Sequence, residues 1–196
     1  NVGFNGTISV QNGTLAVGSQ NALGTAGVAL SDGTTLVVDN AIGGAVWTIA
    51  NTLSGTGDIE KLGAGRLILS GNNGALVGGD ILVREGNLEA VGAAALGSGT
   101  TITLGDSIAG SSAVLALNNA DVANAWYYDS VIAEDAAGLG SLEKVGAGTV
   151  VLTETQTYTG GTKVSGGRLV VQGELASTDI AVTDLNAVFE VSNSSD

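Results

Sequence analysis

Apolar residues recur along this chain in short alternating triplets, each closed off by Gly, Asn, Asp or Ser. Ile8-Ser9-Val10, Leu36-Val37-Val38, Leu67-Ile68-Leu69, Ile102-Thr103-Leu104, Leu115-Ala116-Leu117, Leu169-Val170-Val171 and Phe189-Glu190-Val191 are representative. A period of two places alternate side chains on opposite faces of a strand, and the bounding residues tolerate turns and positive φ. No stretch shows a sustained 3.6-residue apolar stripe, and 32 glycines penalise helix heavily. The pattern predicts an all-β fold.

Superimposed on the triplets is a longer repetition. Asn40 and Trp47 reappear 79 residues later as Asn119 and Trp126. The run from Gly55 through Lys61 to Gly65 returns at an offset of 83, from Gly138 through Lys144 to Gly148. Gly78-Gly79 matches Gly160-Gly161, and the element Gly-x-Leu-x-x recurs from Gly13, Gly86 and Gly167. The chain therefore reads as one segment of about two and a half units near 80 residues: a partial unit at 1–54, one at 55–137 and a partial one at 138–196.

Strands this short are marginal alone, and hairpin turns are not the rule between them. Stacking each triplet above its counterpart gives every strand two neighbours and buries one face along a common axis. Roughly seven to nine coils at about 4.8 Å per step would make a rod about 35–45 Å long. The expected architecture is a parallel β-helix, a solenoid without internal domain boundaries.

Certain residues carry a family resemblance: the run Gly138-x-Gly140-x-Leu142-x-Lys144-x-Gly146-x-Gly148, then Thr157-Tyr158-Thr159-Gly160-Gly161, then Gly167-x-Leu169. They resemble the autotransporter-associated β-strand repeat of passenger domains in type V secretion. The copy from Gly55 to Gly92 is similar but degenerate, with Asn73-Gly74-Ala75-Leu76-Val77 where Thr-Tyr-Thr is expected. The resemblance implies a right-handed parallel β-helix, a fragment of a longer passenger displayed on a Gram-negative cell surface. It also implies a C-terminal outer-membrane β-barrel in the same parent chain. Roles implied are adhesin or stalk, with assistance to passenger folding and secretion as the alternative; apart from the resemblance, a polysaccharide-acting β-helix enzyme is a remote third reading.

Composition narrows the chemistry. With no His and no Cys there is no His-dependent triad, thiol nucleophile, disulfide or ordinary zinc site. Six Lys and Arg against 19 Asp and Glu, a net charge of -13, argue against nucleic acid as a partner. The absence of Met, even at position 1, suggests a piece of a longer chain, and neither a signal peptide nor a transmembrane helix is expected in it. No cofactor, metal or catalytic residue is expected. Lys61 and Lys144 read as ammonium groups that pair with neighbouring carboxylates or cap corner carbonyls. Asp129, Glu134 and Asp135 lie close together but lack a calcium-loop pattern, so they read as a solvated face.

Trp47 and Trp126 share a repeat position and read as packing residues, and Tyr158 belongs to the repeat motif. Asn51, Asn72, Asn118 and Asn119 stand near turns and are expected to form stacked side-chain ladders. The densest aromatic group, Trp126-Tyr127-Tyr128 beside Asp129, is the candidate partner-binding surface, because aromatic platforms take up sugars and proteins. Partners expected are host-surface or sibling-cell molecules, protein or glycan. Self-association through uncovered terminal coils is also expected.

Overall fold

The computed structural model describes residues 4–41, 43–106, 111–136, 138–177 and 179–192. The repeat boundary expected at Ala137 and both chain ends lie outside them. Among the described residues there is no helix; parallel strands stack as a solenoid of about 8 turns.

Four ladders form its walls. On the first wall lie Thr7–Val10, Gly27–Leu30, Leu53–Gly55 and Ala75–Leu76. The second carries Thr14–Val17, Thr35–Asp39, Asp58–Leu62, Ile81–Val83, Ile102–Leu104 and Ile132–Glu134. The third, with seven strands, carries Val46–Ile49, Arg66–Leu69, Gly86–Val91, Ser112–Asn118, Leu139–Val145, Thr162–Val164 and Ile180–Val182. The fourth ladder holds Trp126–Tyr128, Thr149–Leu152, Arg168–Val171 and Val188–Val191. In chain order it takes the place within each turn that the first wall held earlier; beyond Ile132–Glu134 the second wall carries no further described strand, and Gln156 and Leu175 form an isolated bridge there.

In-register pairing brings like onto like inside the coil. Leu36, Ile59, Ile81, Ile102 and Ile132 stack as one column, and Leu67, Leu88, Leu115 and Leu142 as another, all buried. Each such side chain contributes about 1.5–3 kcal/mol by leaving water. The alternation that defined the triplets is thus the inward and outward alternation of the walls.

The repeat does not hold a whole number of turns. Lys61 lies on the second wall, between Val38 and Val83, whereas Lys144 lies on the third, between Leu117 and Val164. Trp47 likewise sits on the third wall and Trp126 on the fourth ladder. A unit spans about three and a third turns, so equivalent residues move on to the next wall from one copy to the next.

Candidate functional site

The best-defined polar construction is the corner that follows each repeat lysine. Both lysines stand at inward positions of a strand, so their aliphatic stems continue a column of apolar side chains while the ammonium reaches the corner. Lys61 Nζ donates to the carbonyl oxygens of Gly63 (2.6 Å), Glu85 (2.9 Å) and Leu62 (3.3 Å). Lys144 Nζ donates to those of Val145 (2.6 Å), Gly146 (2.8 Å) and Gly166 (3.1 Å). Both side chains are wholly buried. Burial pushes the Lys61 ammonium down to about 8 against the pull of Glu85 and Asp39, and burial alone pushes Lys144 to about 8.

Glycine makes the corner possible. Gly63 and Gly146 turn the chain at φ 76° and 79°, which a side chain would oppose. Two residues later the backbone runs so close to the preceding turn that a Cβ on Gly148 would stand 2.1 Å from the Asp121 oxygen. Across the gap, Asn40 donates to the carbonyls of Ala45 and Arg66, and Asn119 donates to those of Asn124 and Thr149. A second polar brace joins successive turns: Asn73 Oδ1 accepts from the Leu53 N–H (2.8 Å), and Gln156 Oε1 accepts from the Ile132 N–H (2.7 Å).

These contacts correct the expected ladders. Asn51 donates to the carbonyls of Gly24 and Ala26, Asn118 to Glu89, and Asn119 to backbone; exposed Asn72 accepts from the Gly74 N–H. None of these four bonds to another Asn in a stack. Corner carbonyls and N–H groups are the stronger claimants, since buried backbone must be paired. Asn40, Asn73 and Gln156 escaped the sequence reading, although the offset of 79 already linked Asn40 to Asn119. The Gln156 role carried no signal, because Gln replaces Asn there.

The lysine reading divides as well. Corner capping is what the ammonium groups do; adjacent carboxylates are bonded elsewhere, with Glu60 pairing Arg84 (2.6 Å) and Glu143 pairing Lys163 (2.9 Å). Arg66 pairs with Glu89 and Arg168 with Glu190, so every described Arg and Lys is engaged by a carboxylate or by carbonyls.

The aromatic group is split by strand geometry. Trp126 and Tyr128, two apart, both point inward at 4% exposure, ring edge to face at 6.2 Å. Tyr127 points outward at 63% exposure, and Asp129 is exposed at the following corner. Of the four residues of the expected aromatic surface, Tyr127 and Asp129 are exposed and the two other rings are not. Burial, with the charge of Asp129 adding, raises the Tyr128 hydroxyl, which has no hydrogen-bond partner among the described residues.

Of the three acids near this group, Glu134 is committed to backbone. It accepts from the N–H groups of Gly140 (3.1 Å) and Thr159 (3.0 Å) and from the Thr159 hydroxyl (2.5 Å). Partial burial raises its pKa, but these hydrogen bonds outweigh that and hold it below the usual range. Tyr158, fully buried, donates to Thr162 Oγ1 (2.7 Å); Thr162 donates to Ser177, and Ser177 to the Gly160 carbonyl. The aromatic of the motif is thus a structural link between successive turns.

Residues 59–90 and 142–171 each match the family model of the passenger-associated-transport-repeat. Two stretches of the chain are thus similar to this passenger repeat. Each matched span begins two residues before the lysine and closes in the strand that follows Gly86 or Gly167, so the passenger repeat coincides with one lysine corner and the turn that completes it. No curated protein and no solved structure matches the chain.

Proposed function

We propose that the chain is a non-enzymatic segment of an autotransporter passenger, a stiff surface-displayed stalk of adhesin type on a Gram-negative bacterium. One observation supports this above all: the residues shared by the two passenger repeats are spent on holding turn to turn. Lys61 and Lys144 and the corner glycines inside the matched spans all face neighbouring turns, and Asn40 and Asn119, which precede those spans, brace the same corners. A motif devoted to stacking serves a scaffold.

Binding to host-surface or sibling-cell molecules then falls to residues outside the motif, of which Tyr127 and Asp129 are the first to test. In the parent chain bearing its outer-membrane barrel, Tyr127→Ala with Asp129→Asn is expected to lower cell adhesion while surface display stays constant. Adhesion equal to that of the unaltered passenger removes this pair from the proposal. Loss of display itself speaks for the second reading, in which the repeats assist folding and secretion. The Lys144 corner, which draws two successive turns together, favours that reading. Deleting 138–173 is its direct test: reduced display supports it and unchanged display overturns it.

A further inference from the structure

We propose that each repeat corner is a cation-binding site whose resident cation is the chain's own ammonium, and that with the lysine side chain removed it takes a small ammonium ion from solution. The case begins with the donor set. Around Lys61 three carbonyl oxygens converge within 2.6–3.3 Å, from Leu62, Gly63 and Glu85. Around Lys144 the same three places are filled by Val145, Gly146 and Gly166 at 2.6–3.1 Å. Two copies on different walls thus build one donor set with different side chains around it.

The chemistry of this set is that of a cation cage. Neutral carbonyls arranged around one point replace the hydration shell of a monovalent ion, as rings of backbone carbonyls do elsewhere. Among the described residues no carboxylate bonds to either ammonium, so the oxygens that touch it are dipoles, with the Glu85 and Asp39 charges acting on Lys61 from further off. Gly63 and Gly146 set the corner by their positive φ, and the third carbonyl comes from the corner of the following turn, just beyond the paired strands Ile81–Val83 and Thr162–Val164. Lysine supplies the ion already tethered, with three N–H donors for three acceptors. Its stem fills a core position that an aliphatic residue occupies in the turns on either side, Val38 and Val83 or Leu117 and Val164.

The ligand class follows. It is a compact monovalent cation carrying at least three N–H donors, ammonium or methylammonium, entering the space vacated by the stem. Tetramethylammonium, bulky and without donors, does not fit.

The test uses the full chain with Lys144→Ala, Lys61 left in place, and thermal unfolding in matched concentrations of sodium, methylammonium and tetramethylammonium chloride. Methylammonium is expected to raise the Tm of the variant above its value in sodium, by on the order of 2–4 °C, with no such rise in the unaltered chain. Should the variant not fold in sodium, recovery of the folded state in methylammonium but not in tetramethylammonium supports the site. Equal effects of all three salts, or no recovery in any, overturn it. Lys144→Met provides an independent check: a chain as stable as the original shows that the carbonyls require no cation, and the proposal fails.

Discussion

Lys61 and Lys144 hold the same position in the two stretches that match the passenger repeat yet stand on different walls of the solenoid, each with its ammonium among three main-chain carbonyls. The corner they close is therefore a property of the local sequence and of the next turn, and it does not depend on which side of the rod it faces. Removing the ammonium strands buried acceptors, at about 1–3 kcal/mol for each unsatisfied group. Lys144→Met is expected to lose about 3 kcal/mol in chemical denaturation, and Lys61→Met a similar amount.

The same burial gives these lysines a characteristic pH response. Their folded pKa lies near 8 against 10.5 for the free side chain, so the unfolded chain binds more protons between those values. Their penalty is fully present below about pH 8 and is relieved as pH rises toward 10.5. Between pH 7 and 9.5 the Tm of the original chain is expected to rise relative to that of Lys61→Met/Lys144→Met. Parallel curves for the two proteins would refute this assignment.

Tyr128 and Tyr158 are both buried, but only Tyr158 has a partner for its hydroxyl, Thr162. Tyr158→Phe is expected to cost about 1 kcal/mol, while Tyr128→Phe is expected to be neutral or stabilising by up to about 1 kcal/mol, because an unpaired buried hydroxyl is lost. Paired denaturant titrations read the difference in sign.

Gly148 and Gly18 separate crowding from glycine content. A Cβ at Gly148 meets the Asp121 backbone, whereas at Gly18 nothing lies within 4 Å. Gly148→Ala is expected to cost at least about 1–3 kcal/mol, and Gly18→Ala to leave Tm within a degree or two or raise it slightly.

Glu134 ties three segments through hydrogen bonds to its ionised form, and Glu143 is held low by Ser165 and Lys163 against the opposing effect of burial. Folded pKa values below the unfolded range mean that this stabilisation is present above about pH 4.5 and lost as pH falls through the folded values. Glu134→Gln is expected to flatten the acid limb of a Tm–pH profile while shifting it little above pH 6 in slope. An unchanged acid limb would place the sensitivity elsewhere.

Much of this architecture was legible in the chain. Alternation in Leu36-Val37-Val38 or Leu67-Ile68-Leu69 already names the inward residues, because strand geometry has a period of two, and the Lys-x-Gly-x-Gly run already marks the corner. The same rule, applied to Trp126-Tyr127-Tyr128, separates Tyr127 from its neighbours; reading the three as one platform overlooked it. The ammonium partners were less accessible. A sequence displays carboxylates such as Glu60 and Glu143 beside each lysine, but not the carbonyls that outcompete them once water is excluded.

Local periodicity and repetition determined by themselves that the chain is all-β, that its strands stack and that its glycines mark corners, since each of these follows from backbone sterics within a few residues. Tertiary structure alone decided what Lys61, Asn73 and Gln156 hold, and that successive repeats face different walls. Those outcomes depend on which turn lies above which, a relationship set by main-chain pairing between residues 18 to 30 positions apart.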